Sequence, residues 1–183
     1  MTPSEGEALT LHRKYGSDER IIIHCETVTK VAKILADAML KEGKEVDVKA
    51  VLAGAMLHDI GRSRVHSVRH GLEGANIVEG EGVEMKVVEI VRKHVGAGIS
   101  REEARALQLP DLDYIPATLE EMIVCFSDKM VDADRVRPFE AEVHRFTVKG
   151  HDVSRLVALK RRLQQELGED PEKVIFDKVK ETQ

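Results

Sequence analysis

No tryptophan occurs among the 183 residues, and two tyrosines and four phenylalanines make up the whole aromatic complement. Hydrophobic residues still reach 42%, so gross disorder is excluded and the core must be mainly aliphatic. Cysteine is equally scarce. Cys25 and Cys125 stand in separate apolar segments, too few for a disulfide framework or for four-thiolate zinc or iron–sulfur chemistry, and two inert buried thiols in a reducing compartment are expected. No apolar run approaches the roughly 20 residues of a membrane span, and the opening MTPSEGEALTLHRKYG lacks the apolar centre of a secretion signal. These absences predict a cytoplasmic protein that makes no membrane contact. A surplus of positive charge is missing too: 28 basic against 33 acidic residues give −5 with histidine neutral, which speaks against bulk capture of nucleic acid or anionic lipid. There is no internal repeat, no low-complexity block, no clear period-two alternation and no Gly-rich phosphate loop with its lysine.

What the chain does have is helical periodicity with well-placed caps. Ser17 and Asp18 precede a pattern from about Glu19 to Lys41, ended by Gly43, in which Ile21, His24, Val28, Val31 and Leu35 share one face. Asp47 caps a nearly all-apolar run, VKAVLAGAMLHDI, that ends in His58, Asp59 and Gly61. A helix is expected from Ser67 or His70 toward Val78. After Gly80 and Gly82 another spans about Val83 to His94, with Val83, Val87, Ile90, Val91 and His94 on one arc. Ser100 with Glu103 and Thr118 with Glu121 read as capping boxes, the second opening a stripe of Leu119, Met122, Ile123, Phe126 and Met130 with Asp128 beside it.

The stretch from Asp132 to Gly150 is polar, contains Pro138 and reads as a loop or partly ordered excursion. Helices over Asp152 to Leu167 and from Asp170-Pro171 onward would close the bundle. In the first of these, Val153, Leu156, Leu159 and Leu163 suit docking onto the bundle or onto a second copy, so that monomer and homodimer both remain open, while Arg155, Lys160, Arg161 and Arg162 read as a solvated face. The expected fold is all-α, an irregular bundle of about seven to nine helices. It divides into a lead-in over 1–16, a core over 17–132, and a loop with terminal helices over 133–183 packed on the same domain.

Six residues in or at the ends of these core helices carry the chemistry: His24, His58, Asp59, His70, His94 and Asp128. Burying imidazoles and carboxylates uncompensated costs several kcal/mol for each charged group, and a divalent metal offsets such costs together. Nitrogen and carboxylate oxygen suit iron, manganese or zinc, and a carboxylate can bridge two ions. Asp59, directly after His58, is the natural bridge. His12, His144 and His151 lie outside this set and are expected on the surface or in loops, and Glu26 and Glu73 are expected to face solvent.

The ordered set, IIIHCETV, LHDIG, RHGLEGA, RKHVGAG and FSDKMVD, resembles the HD superfamily of metal-dependent phosphohydrolases, over about residues 18–132. It is most similar to the small HDIG branch with dinucleoside tetraphosphate hydrolases and archaeal proteins of unassigned activity. The resemblance implies His24, His58, Asp59 and Asp128 around one ion, and His70 and His94 with Asp59 bridging around a second. It implies one or two divalent ions, iron or manganese ahead of zinc, nickel, cobalt or magnesium. The implied reaction is attack of metal-activated water on phosphorus in a small phosphorylated metabolite, a nucleotide or dinucleotide. The GYP signature of cyclic-dinucleotide phosphodiesterases is absent, as is a second histidine beside His94. Arg62 stands where relatives often carry lysine and, being permanently protonated, would clamp phosphate together with Lys129. Asp59 is counted with the catalytic residues, and His66 would orient phosphate or shuttle a proton. Competing readings are a cyclic-phosphate phosphodiesterase, a noncatalytic metal-containing nucleotide-binding module and an oxygen-using iron enzyme.

Overall fold

In the computed structural model, which describes residues 1–181, the capping groups stand at the starts of helices as their spacing predicts. The lead-in adds a capping box that the sequence reading did not name, Ser4 with Glu7, which opens α1, Glu5–Lys14. Asp18 caps the longest helix, α2, Glu19–Lys41. Asp47 accepts from Ala50 N at the start of α3, Val48–Leu57. A 3-10 turn over Ile60–Ser63 leads to α4, His70–Gly80, and α5, Met85–Lys93. Both later capping boxes are present, on α6, Arg101–Ala106, and α7, Leu119–Lys129.

α3 is central because its sequence offers no polar face. Every residue from Ala53 to Leu57 is buried, and α2, α5, α7 and α1 pack around it. Full burial of one aliphatic side chain contributes roughly 1.5–3 kcal/mol, so a helix apolar on all sides is stable only where neighbours surround it. Gly54 permits the crossing with α5: a Cβ there would lie 2.5 Å from Ile90 Cγ2.

The segment expected to be a loop is ordered instead. Val131–Asp132 (β1) and Arg135–Val136 (β2) pair as an antiparallel hairpin with Val131 opposite Val136, and α8, Phe139–Val148, follows with Pro138 at its N-cap. Strands of two residues are too short to show an alternation. α8 has a single buried residue, Phe139, stacked on Phe126 with ring centroids 5.1 Å apart. The helix is held by a distant partner, and its own stripe is too weak to announce it.

α9, Ser154–Leu167, and α10, Pro171–Glu181, complete ten α-helices among the described residues. Leu156, Leu159, Leu163 and Leu167 are buried in the main core, so the stripe left open between bundle and second copy is used by the bundle. Of the basic residues on α9, Lys160 pairs with Asp170 and Glu172, and Arg155 bonds Gly98 O and the carboxylate of Glu103. None of the described helices is long and apolar enough to cross a membrane.

The Arg155 guanidinium, aided by Ser100, holds the Glu103 carboxyl at about 2 against an ordinary value of 4.5. A depressed folded pKa gives stability that is present above the unfolded value and lost as pH falls from about 4.5 to 2. Both side chains are partly exposed, which limits the effect to roughly 0.5–1 kcal/mol. Arg155→Ala is expected to remove this part of the acid-side loss of stability, read by denaturant unfolding across that window.

Candidate metal centre

His58 and Asp59 follow directly on α3, His94 follows α5, His70 opens α4, Asp128 lies in the last turn of α7 and His24 lies two turns into α2. Helix packing brings all six together. His58, Asp59, His70 and His94 are buried, and the side chains of His24 and Asp128 are only 16% and 14% exposed.

The orientation of each ring is set from behind. Nδ1 of His58, His70 and His94 bonds the carbonyl three residues earlier, of Ala55, Ser67 and Val91, each at 2.7 Å. Nδ1 of His24 lies 3.2 Å from Ala133 O. A carbonyl only accepts, so in the neutral ring Nδ1 carries the proton and Nε2 presents a lone pair inward.

Those lone pairs meet one another and two carboxylates. His70 Nε2 and His94 Nε2 are 2.9 Å apart, and both face Asp59 Oδ1, at 3.2 and 3.4 Å. On the other side, His24 Nε2 is 3.0 Å and His58 Nε2 3.5 Å from Asp128 Oδ1, with His58 Nε2 3.8 Å from Asp59 Oδ2. His58 Nε2 and Asp59 Oδ1 are buried without a hydrogen-bond partner. Ligands about 2.1 Å from one ion stand roughly 3.0 Å apart in octahedral and 3.4 Å in tetrahedral geometry, so these separations are those of coordination edges. His24, His58 and Asp59 form one group able to hold an ion, and Asp59, His70 and His94 a second. Asp59 belongs to both and turns a different oxygen to each.

The electrostatics favour a cation. Burial pushes both acids up, but His58, His70 and His94 hold Asp59 well below the usual carboxylate range, and Lys129, His24 and His58 do the same for Asp128. Burial takes His94 down to about 4, leaving it neutral and ready to ligate. For His24 burial is outweighed by Asp128, which raises the ring's proton affinity; the same attraction acts on a metal ion at Nε2.

The remaining residues singled out from the sequence line one cavity of about 990 Å³ above this cluster. Arg62 Nε donates to Asp59 Oδ2 at 2.6 Å, and the buried Lys129 pairs with Asp128 Oδ2. His66 lines the cavity and is exposed. It lies in the bend between the 3-10 turn and α4, and of the two histidines only His70, at the start of α4, reaches the ligand cluster.

Other residues escaped the sequence reading. His12, expected at the surface, is fully buried: Nε2 donates to Met56 O at 2.7 Å and Nδ1 meets Ser17 Oγ at 2.8 Å, tying α1 to the end of α3. Its spacing of four from Ala8, also fully buried, was the available signal. The expectation of inert thiols fits Cys125, pushed up to about 12 by burial. Cys25 differs, because His58 and His12 outweigh its burial and bring it to about 7.

Ala133 at the hairpin tip has φ 55, the left-handed region that costs an L-residue about 1 kcal/mol or more. Its carbonyl faces the His24 ring, so the turn both carries strain and positions a candidate ligand. Ala133→Gly should raise unfolding stability by about 1 kcal/mol with the denaturant slope unchanged; a loss of stability would show that the tip is not strained.

The model of the HD domain family matches residues 21–131. The chain belongs to the HD domain family. The matched segment contains His24, His58, Asp59, His70, His94 and Asp128, and the cluster is a divalent-metal-binding, phosphohydrolase-like active site. This HD-domain protein is 37% identical over 176 residues to a tRNA (cytidine(56)-2'-O)-methyltransferase of Thermoplasma volcanium, covering 95% of its own length and 51% of the relative's. The protein of that name from Picrophilus torridus is 37% identical over 177 residues, covering 96% and 50%. An uncharacterised protein of Methanocaldococcus jannaschii is 47% identical over 113 residues, covering 62% and 67%. The chain spans about half the length of the two methyltransferases. No solved structure matches it.

Proposed function

We propose that this HD-domain protein is a metal-dependent phosphohydrolase that cleaves a small nucleotide or dinucleotide. The observation that carries this reading is the pair of inward-facing ligand groups sharing Asp59 at the base of a cavity walled by cations. His24, His58, Asp59 and Asp128 would hold one ion, and His70 and His94 with Asp59 the other. Divalent ions there supply activated water and polarise phosphoryl oxygens; iron and manganese are favoured for mixed nitrogen and carboxylate donors.

The chain's own residues do the rest. Arg62 and Lys129 lie against Asp59 and Asp128, and with those acids compensated each can bond a phosphoryl oxygen and offset charge as it develops. Arg62 holds its proton throughout, so it clamps and orients. His66, exposed at the cavity wall, can orient phosphate or pass a proton to the leaving oxygen. Ile21, Pro138 and the Phe146 ring form an apolar part of the wall suited to a nucleoside.

The likeness to proteins named as tRNA methyltransferases favours a second reading, in which the phosphate is terminal or cyclic at the end of an RNA. The net charge of −5 argues against contact with a long stretch of nucleic acid. Anaerobic purification with elemental analysis, then a matrix of metals against mononucleotides, dinucleotides, cyclic phosphates and short RNA ends, tests both. Release of a nucleotide product with iron or manganese is the expected result. Saturable nucleotide binding without turnover under every metal would replace the enzyme by a binding module, and oxygen consumption with an oxidised organic product would replace hydrolysis.

A further inference from the structure

The cavity is larger than its metal chemistry requires. At about 990 Å³ it lies at the upper end of the 300–1,000 Å³ range of small-molecule sites, and one phosphoryl group at the ligand cluster would fill a small part of it. Its outer wall carries three further cations, Arg20, Arg137 and Arg145. All three lie outside residues 21–131, the segment that carries the shared HD chemistry.

The three are not equivalent. Arg20, four residues before His24, is held by Asp18 through bonds of 3.1 and 3.2 Å. Arg145 pairs with Glu142 and lies over the Phe146 ring, 5.6 Å from its centroid. Arg137 has no acidic or carbonyl partner for its guanidinium among the described residues. Yet its backbone is fixed: Arg137 N donates to Met130 O at 2.7 Å, two residues beyond Asp128. A tethered backbone beside the ligand cluster, with a free fork of donors in the cavity, is the arrangement that captures a phosphate by paired charge-assisted bonds.

We infer that Arg137, flanked by Arg20 and Arg145, forms a second anion subsite that binds a phosphate other than the one being cleaved. The substrate class is then a nucleotide carrying at least two phosphates. This rests on the phosphohydrolase reading for the phosphate at the metal cluster, and adds to it a selectivity against monophosphates. Hydrogen bonds to charged groups are among the stronger ones, so the subsite should give at least a tenfold preference.

The test is equilibrium binding by titration calorimetry on the full chain, with AMP, ADP, ATP and adenosine 3′,5′-bisphosphate as probes, in Mn²⁺ and again after chelation. At least one two-phosphate or three-phosphate nucleotide should bind tenfold or more tightly than AMP. Arg137→Gln should bring that ratio below about two, and Arg137→Lys should retain part of it. Arg137 is exposed, so neither substitution threatens the fold. The ratio should survive chelation, because the second phosphate does not need the metals. Equal affinity for AMP and all the others, an equal loss for AMP and the others in Arg137→Gln, or a preference that survives Arg137→Gln would overturn the subsite. If the preference and its dependence on Arg137 are found but no metal supports turnover, the subsite stands and the hydrolase reading falls.

Discussion

Asp59→Asn is expected to lower kcat/KM on the best substrate by about 10³-fold or more, some 4 kcal/mol of transition-state stabilisation, and to reduce bound metal at both sites together. The reason is geometric. Asp59 Oδ1 faces His70 and His94 while Oδ2 faces His58 and Arg62, so one substitution removes a ligand from each group and the negative charge between them. An amide of the same shape keeps the packing but is uncharged, and its NH2 either faces the Arg62 guanidinium, a donor that needs an acceptor, or faces the His70 and His94 lone pairs, where it puts a group with no lone pair to give in place of a metal-binding oxygen. Elemental analysis of the purified variant, alongside single-turnover assays, separates lost metal from lost chemistry. His66→Gln is the comparison: it lines the same cavity without touching the cluster, so its metal content should match the unaltered protein. An Asp59→Asn protein with full metal content and activity within tenfold would falsify the bridging role.

The largest effect on stability is expected from Gly61→Ala. A Cβ at this position would lie 2.0 Å from His70 O and 2.5 Å from Gly74 N. Both are backbone atoms of α4, so no side-chain rotation relieves the clash, and the 3-10 turn or the helix must move. Overpacking against backbone costs about 3 kcal/mol or more. The same movement draws His70 away from His94 and Asp59, so metal retention should fall with stability. Gly80→Ala is the control, since a Cβ there meets nothing within 4 Å and should be neutral or stabilising by a few tenths of a kcal/mol. Equal melting temperatures for the two variants would show that the turn and α4 are not in contact as described.

Much of this architecture was legible because its causes are local. Capping by Asp18, Asp47, Ser100 and Thr118 acts within three residues, and the helical stripes are read over four. The helix ends carrying His58, Asp59 and His94 follow from the same signals, as does the aliphatic core. His12 was missed since its one signal, the spacing of four from Ala8, is too short a stripe to separate a buried face from a wet one. Its burial depends on Met56 O, 44 positions away. The hairpin and α8 were missed because their order comes from Phe126 and from Glu172 of α10, whose Oε1 accepts from Phe139 N at 3.2 Å.

By itself, the sequence determined the helices, the apolar faces and the inventory of nitrogen and oxygen donors, since backbone propensity, capping and periodicity are properties of neighbouring residues. Only the tertiary structure decided which atoms meet: that His24 and Asp128, 104 residues apart, close to 3.0 Å, that backbone carbonyls turn four imidazoles with Nε2 inward, and that a hairpin and α8 wall the cavity with arginines. Those outcomes depend on helices packing at close range, where displacement of an ångström separates a coordination edge from two unrelated side chains.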